Sequence, residues 1–473
     1  MTAKGGAGAR LRDAVGAREG EGSVVLWASA YYFLVLAAYY VLRPIRDDMG
    51  AASGVENLAW LFTGTMLGML AVHPLYTSLV SKLPRKRFIP LAYRFFIANL
   101  VVFYLVFRSV DASQSVWVGR VFFIWTSIFN LFVVSVFWSL ITDIFRPGQG
   151  KRLFGIVAIG GTIGAVFGST ITTALVGVMG PLNLMLVSAL ILELAVRAAK
   201  TLDRAEAGLR AADTTTVSDA SERTAPSVAP VGAAPVGAAP VGAAPVGWSA
   251  ATPTASSGSN SDTVIGGGVL DGIKHIAKSP YLLGIASLIL FYTISSTFLY
   301  FQQVDIVARV FKDDPTGRTR VFGAMDLAVN ILTLLAQLFL TGRVMKWFGV
   351  GFALAFLPVV TALGFGIMAI APVLTVLIVF QTIRRAGNFA IQRPGREALF
   401  TVLPRTDKYK AKNFCDTTVY RFGDQVGAWS YTAMGVFGLG LSGLAFSMVP
   451  LSIAWFVLTL WLGRRYAKME AAA

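Results

Sequence analysis

Arginine, aspartate, asparagine and glutamine recur in this sequence at helical spacing inside stretches that are otherwise apolar. Asp326, Asn330, Thr333 and Gln337 fall at i, i+4, i+7 and i+11, and Gln381, Arg385, Asn388 and Gln392 repeat those intervals, so each set makes one stripe along a helix. Tyr32, Tyr39, Arg43 and Arg46 step along a third helix, Arg120, Ser127 and Asn130 along a fourth, and Asp416, Tyr420 and Asp424, with Arg421 beside them, along a fifth. A charge held mid-bilayer costs at least about 2.5–3.5 kcal/mol on insertion scales and must face protein or water. One stripe alone reads equally well as glue between two helices. Five in one chain point to a shared polar pathway. Its chemistry is anion binding: Arg43, Arg46, Arg120, Arg384, Arg385 and Arg421 outnumber the carboxylates of the same stripes, and a guanidinium holds carboxylate or phosphate through two parallel bonds. The candidate substrate-binding residues are therefore Arg46, Arg120, Asn130, Asn330, Gln337, Arg385, Asn388 and Arg421. Coupling or gating falls to Arg43, Asp47, Asp326 and Asp424, the last two as counter-charges of the empty site or as proton acceptors.

The elements that must position these groups are membrane helices. Of 473 residues 55% are hydrophobic and only 14% charged, against about 25% charged in an ordinary soluble chain, and the mean hydropathy is +0.65. That composition argues against a soluble globular enzyme, and 12% aromatic content argues against a wholly disordered chain. Apolar blocks near 24–42, 57–80, 88–107, 116–143, 153–178 and 181–198, then 282–304, 320–341, 350–371, 373–392, 413–438 and 443–463, predict an all-α membrane protein of about twelve transmembrane helices in two six-helix halves. The expected organisation is a cytoplasmic tail over 1–23, an N-terminal half over 24–198, a low-complexity linker over 199–280, a C-terminal half over 281–463 and a tail over 464–473. The linker repeats A-P-V-G-A from Ala229 to Gly247, which makes it a flexible tether whose residues 215–262 are expected to be dispensable. Val269–Lys278 reads as a short amphipathic surface helix.

The net charge, 41 basic minus 25 acidic residues or +16, follows from topology rather than from nucleic-acid binding. Lys82, Arg85, Lys86, Arg87, Arg146, Lys151, Arg152, Arg343, Lys346, Arg405, Lys408, Lys410, Lys412, Arg464, Arg465 and Lys468 all fall in alternate connections, which places that side and both termini in the cytoplasm. The single cysteine, Cys415, and the two histidines, His73 and His275, leave no disulfide and no ordinary zinc site, so neither metal nor cofactor is expected. The run Gly160–Gly168 lies inside a span without a preceding strand, so it reads as close helix packing and not as a dinucleotide loop. His73-Pro74 reads as a kink. No motif supports an enzyme. The expected partners are a small anionic solute and the lipid bilayer, with the chain acting as a monomer.

Six plus six spans with a long cytoplasmic connection is the arrangement of the major facilitator superfamily, and the basic turns Ser81–Phe88 and Gly342–Gly349 at corresponding points of the halves resemble its loop motif. Y-Y-V-L-R-P-I-R-D-D from Tyr39 to Asp48, Gln149-Gly150-Lys151-Arg152-Leu153, R-P-G-R-E-A-L-F from Arg393 to Phe400 and K-Y-K-A-K-N-F-C-D from Lys408 to Asp416 resemble strings of the ATP/ADP translocase family of nucleotide transporters. Arg46 stands where that family has its basic residue. Three positions depart from the pattern: Gln149 replaces a glutamate, Gly160 and Gly161 offer no asparagine, and Asp424 stands in place of a lysine. The resemblance implies a secondary transporter of a bacterial inner membrane, working by alternating access, with a nucleotide, a smaller phosphorylated metabolite or another organic anion as substrate. The alternative is a membrane scaffold or sensor that keeps the transporter fold without transport.

Overall fold

The structure, a computed structural model, describes residues 21–145, 147–221, 279–403, 411–412 and 414–471. The repeat Ala229–Gly247 and the stretch Val269–Lys278 lie outside the described residues. Among the described residues every regular element is helical: α1 Glu21–Ala52, α2 Leu58–Lys82, α3 Arg85–Ser109, α4 Ala112–Ile144, α5 Pro147–Ser221, α6 Pro280–Val310, α7 Pro315–Phe339, α8 Thr341–Ile370, α9 Leu374–Gly387, α10 Arg393–Leu399, α11 Tyr420–Val436 and α12 Leu441–Ala471. Two π-turns, Asn388–Gln392 and Cys415–Val419, join α9 to α10 and lead into α11.

Local chemistry sets several of the boundaries. Asp111 accepts from the Gln114 N–H at 2.8 Å to start α4, Ser279 accepts from Leu282 to start α6, and Asp314 accepts from Gly317 at 2.8 Å to start α7. The last two caps precede a proline, whose missing N–H is harmless in a first turn. Gly180, at φ 77°, divides α5 into two arms. Only glycine enters that region cheaply, and Pro181 cannot continue the ladder.

Nine of the described helices are long and apolar enough to cross a membrane. With α5 taken as two arms, α9 continued through its π-turn into α10, and α11 with its own π-turn, the arrangement is consistent with twelve crossings. Two expected boundaries move. The sixth span does not stop at 198 but continues as helix through Ser221, because 199–212 is rich in Ala, Leu, Glu and Arg, all strong helix formers. The expected C-terminal tail is the last turns of α12.

Packing differs between the halves. In the N-terminal half one continuous core runs from α1 through α3, α4 and both arms of α5. Gly160, Gly164 and Gly168 lie directly over the backbone carbonyls of Ser29, Phe33 and Ala37 in α1, and Thr172 donates to the Val41 carbonyl at 3.3 Å. The glycine run is thus a helix-packing face. In the C-terminal half the core is split into smaller clusters, and one of these joins the halves by packing Ala51, Leu58, Leu61 and Phe123 against Phe298, Phe301 and Val304. The outer surface carries Leu, Val, Phe and Trp along the helices, as lipid requires. The chain is an integral membrane protein.

Candidate functional site

Between the halves lies a cavity of about 210 Å³ lined by α1, α2 and α4 on one side and α6, α9, α10 and α11 on the other. α1 supplies Tyr39, Arg43 and Arg46, whose i, i+4, i+7 spacing puts them on a face about a third of a turn from the glycine contact with α5. Arg385 comes from the end of α9, Asn388 from the start of the π-turn that follows it, and Arg421 and Asp424 from the start of α11. Six of the twelve residues expected at the site, Arg43, Arg46, Arg385, Asn388, Arg421 and Asp424, therefore share this void.

The charges are tied across the halves. One oxygen of Asp326 in α7 accepts from Arg385 Nη1 at 2.7 Å and lies 3.2 Å from Arg43 Nη1, so a C-terminal carboxylate holds one guanidinium from each half. Arg46 donates to Asp47 Oδ1 through Nε and Nη2, at 3.0 and 2.6 Å, and the Tyr300 hydroxyl of α6 donates to the same oxygen at 2.9 Å. The Arg46 guanidinium also sits 5.1 Å from the Phe123 ring centre. Asp47 and Asp326 thus stand behind the lining as partners of its arginines. Arg421 lies 3.5 Å from Asp424, Arg396 lies 3.4 Å from Asp416, and Lys412 pairs with Glu397.

These carboxylates leave guanidinium capacity unused. Arg385 Nη2, Arg393 Nε, Arg396 Nε, and Arg421 Nε and Nη2 are buried N–H groups with no hydrogen-bond partner among the described residues, and all four arginines line the cavity. Arg384, buried behind the wall, meets only neutral groups: Thr361 and Ser296 at 3.2 Å, Ser295 at 2.8 Å and the Tyr292 carbonyl at 3.3 Å. The void is thus walled by charged donors with unused hydrogen-bonding capacity, and a buried unmade hydrogen bond of a charged group is costly. Among the described residues no group of His, Cys, Asp and Glu could hold a metal.

Four expected residues lie elsewhere. Arg120 stacks at 4.3 Å on Trp117, nearer the start of α4, away from the cavity lining. Asn130 is buried within α4, with both amide atoms unpartnered among the described residues. Asn330 donates to Ser169 at 3.4 Å, a bond between α7 and the first arm of α5, so here the glue reading of a polar stripe holds. Gln337 is half-buried beyond the cavity. Helical spacing fixed a shared face in each case but not which neighbour that face meets.

Arg393 and Arg396 also line the cavity; the ordinary helical period continues the Gln381–Gln392 stripe to Arg396 but turns Arg393 away from it. The π-turn at Asn388–Gln392 inserts an extra residue into the turn. Gln392 therefore faces α8, where its side-chain amide, assigned with the nitrogen toward them, meets the Ala353 and Leu354 carbonyls at 3.2 and 2.9 Å, and Arg393 takes up the cavity face beside Arg396. Tyr292, Tyr300 and Gln425 also line the void, and only their neighbours in space mark them.

The end of the molecule bearing the α1–α2 and α6–α7 turns is closed. Arg318 of α7 donates to Asp48 of α1 at 2.5 Å and to the Phe311 and Lys312 carbonyls at 2.9 and 2.8 Å. Thr63 donates to Gln425 at 2.9 Å, Trp429 donates to Thr63 at 3.2 Å, and Trp60 meets Trp429 edge-on.

The model of the Major Facilitator Superfamily matches residues 25–392. No curated protein matches the sequence. Among solved structures, a bacterial homolog of the human lysosomal transporter Spinster, inward-facing and unoccupied, is similar at 13% identity and a TM-score of 0.52, over 96% of this chain and 97% of that one. An auto-inhibited peptide transporter of the POT family is similar at 13% identity and a TM-score of 0.53, over 94% and 96%.

Proposed function

We propose that this chain, which belongs to the major facilitator superfamily, is a secondary transporter that carries a small organic anion by alternating access. The observation that carries the reading is Asp326, one carboxylate shared by Arg43 of the N-terminal half and Arg385 of the C-terminal half, beside cavity guanidinium groups that lack partners. In the empty carrier Asp326 is the counter-charge of the two arginines. A substrate carboxylate or phosphate that engages them offers a bidentate partner in its place and ties the halves through itself. Binding energy then falls on the relative position of the halves, which is the requirement for coupling occupancy to rocking.

The likeness of Tyr39–Asp48, Arg393–Phe400 and Lys408–Asp416 to nucleotide-translocase strings favours a nucleotide or a smaller phosphorylated metabolite. Cavity aromatics, including Tyr39, Phe62, Phe123 and Phe389, suit a ring or sugar face beside the anionic group. Basic connections on one side support cytoplasmic termini in a bacterial inner membrane, which makes the Arg318–Asp48 end external.

A thermal-shift screen of the purified protein against nucleotides, sugar phosphates and organic anions tests this reading. One of these classes is expected to stabilise the protein, and Arg385→Ala is expected to weaken that stabilisation by about 1.5–3 kcal/mol, the range for a charged hydrogen bond, while the fold survives. Unchanged ligand stabilisation in Arg385→Ala overturns the site. A reporter fused after Gly180 should appear outside the cell, and an internal position there overturns the topology.

A further inference from the structure

We infer a binding site for an anionic phospholipid on the lipid-facing side of the N-terminal half, where α3 meets the second arm of α5. Arg94 of α3 donates to Glu193 of α5 through two bonds, Nη2 to Oε1 at 2.9 Å and Nε to Oε2 at 3.3 Å. This pair is not in the interior: the Arg94 side chain is 53% exposed and that of Glu193 29%. Its neighbours on the same surface are Leu91, Phe95, Leu190 and Leu194, all exposed, so the pair sits within the apolar belt. At 1.5 Å per residue Arg94 lies about 14 Å along α3 from its start, inside the depth of a bilayer leaflet.

Glu193 neutralises Arg94, and the excess of charge comes next. Arg197, Lys200 and Arg204 follow at i+4, i+7 and i+11 from Glu193, all three exposed on the face that carries Leu190 and Leu194 farther in. Arg197 and Lys200 are close enough to act on the Glu193 carboxylate electrostatically. Arg87, at the start of α3, is exposed on the same side as Leu91 and Arg94. The nearest acids farther along α5 do not share the face: Glu206 is buried and Asp203 is half-buried, turned about a quarter of the way around the helix. One strip therefore runs from exposed leucine and phenylalanine, through a neutral ion pair, to three cations, with Asp203 at the edge of the strip as the one nearby acid among the described residues.

That order is the order of a phospholipid. Acyl chains cover Leu190, Leu194, Leu91, Phe95 and the neutral Arg94–Glu193 pair, and the ester, glycerol and phosphate groups meet Arg197 and Lys200 nearer the end of the span. A zwitterionic headgroup brings a cation of its own against this strip, whereas a headgroup with net negative charge balances it. A soluble phosphate gains nothing from the apolar part of the strip, which separates the two sources of the same anion.

The test uses the full chain in nanodiscs of phosphatidylcholine alone and in equimolar phosphatidylcholine and phosphatidylglycerol, reading the thermal midpoint and the lipid retained in native mass spectrometry. Phosphatidylglycerol is expected to raise the midpoint and to be retained by the unaltered protein. Arg197→Gln with Lys200→Gln is expected to lose more than half of that rise and the retained lipid. Arg464→Gln with Arg465→Gln, at the exposed end of α12, is expected to keep both. Equal rises in the unaltered protein and the Arg197/Lys200 variant overturn the site, and so does an equal loss in both variants, which would mean general surface attraction. Should the double variant fold poorly, Arg204→Gln alone is expected to lower the rise, and no change there counts against the site. A rise of the same size on adding inorganic phosphate to phosphatidylcholine discs overturns the lipid as the source of the anion.

Discussion

The first and fifth spans of each half pack against one another, yet the two pairs are built from different chemistry. In the N-terminal half Gly160, Gly164 and Gly168 of α5 press onto carbonyl oxygens of α1, backbone against backbone. In the C-terminal half Gly423 and Gly427 of α11 face α6, but Gly423 meets the Thr293 hydroxyl and Gly427 meets the Thr297 side chain and the Ile294 backbone. The α6 strip that meets α11 includes Thr297, and Thr297, Asp424 and Arg421 all line the cavity. A backbone-on-backbone contact has no rotamer to release strain, whereas a hydroxyl can turn. The α1–α5 pair is thus a backbone strut at all three glycines, whereas the α6–α11 pair has one backbone contact, Gly427 on Ile294, and one side-chain contact, Gly423 on Thr293, beside the charged groups of the cavity wall and after the π-turn at Cys415–Val419. The difference places more of the adaptable chemistry in the C-terminal half.

Substitution at the glycine contacts separates strut from wall. Gly164→Val puts a branched side chain onto the Phe33 backbone and is expected to be the most damaging change, about 3 kcal/mol, seen as loss of monodisperse protein in size-exclusion chromatography. A folded Gly164→Val of unchanged thermal midpoint would remove the strut. Arg384→Leu, which takes the buried cation from Ser295, Ser296 and Thr361, is expected to cost about 2 kcal/mol, measured as a lower midpoint in thermal denaturation. No loss there would mean that the polar face of α6 holds itself. Gly423→Ala must turn the Thr293 hydroxyl and also shift its Cβ, 3.0 Å away, so about 1–2 kcal/mol is expected; a loss as large as that of Gly164→Val would make the two pairs equivalent. Gly366→Ala in α8 meets nothing within 4 Å and is expected to raise stability by up to about 0.8 kcal/mol through helix propensity alone.

The halves differed in how much of them could be read from the chain. The strut was legible as the small-residue run Gly160–Gly168 because a straight helix carries i, i+4 and i+8 onto one face. The stripe Asp326, Asn330, Thr333 and Gln337 was legible as polar and helical, but its members serve different ends: Asp326 faces Arg43 and Arg385, and Asn330 faces Ser169. Arg393 is not legible at the cavity because a π-turn has no reliable signature in residue type.

Hydropathy, helical spacing and loop charge, all carried by single segments, determined that this protein is a helical membrane protein of two similar halves with an arginine-rich polar interior. These properties depend on residue type and on the fixed geometry of one helix, so no partner need be known. Tertiary structure decided which stripe became a cavity wall, which became glue, and that Asp326 would be shared between Arg43 and Arg385. Those outcomes depend on which helix lies opposite and at what register, and a one-residue shift within a turn, as at Asn388–Gln392, sends a side chain to a different neighbour.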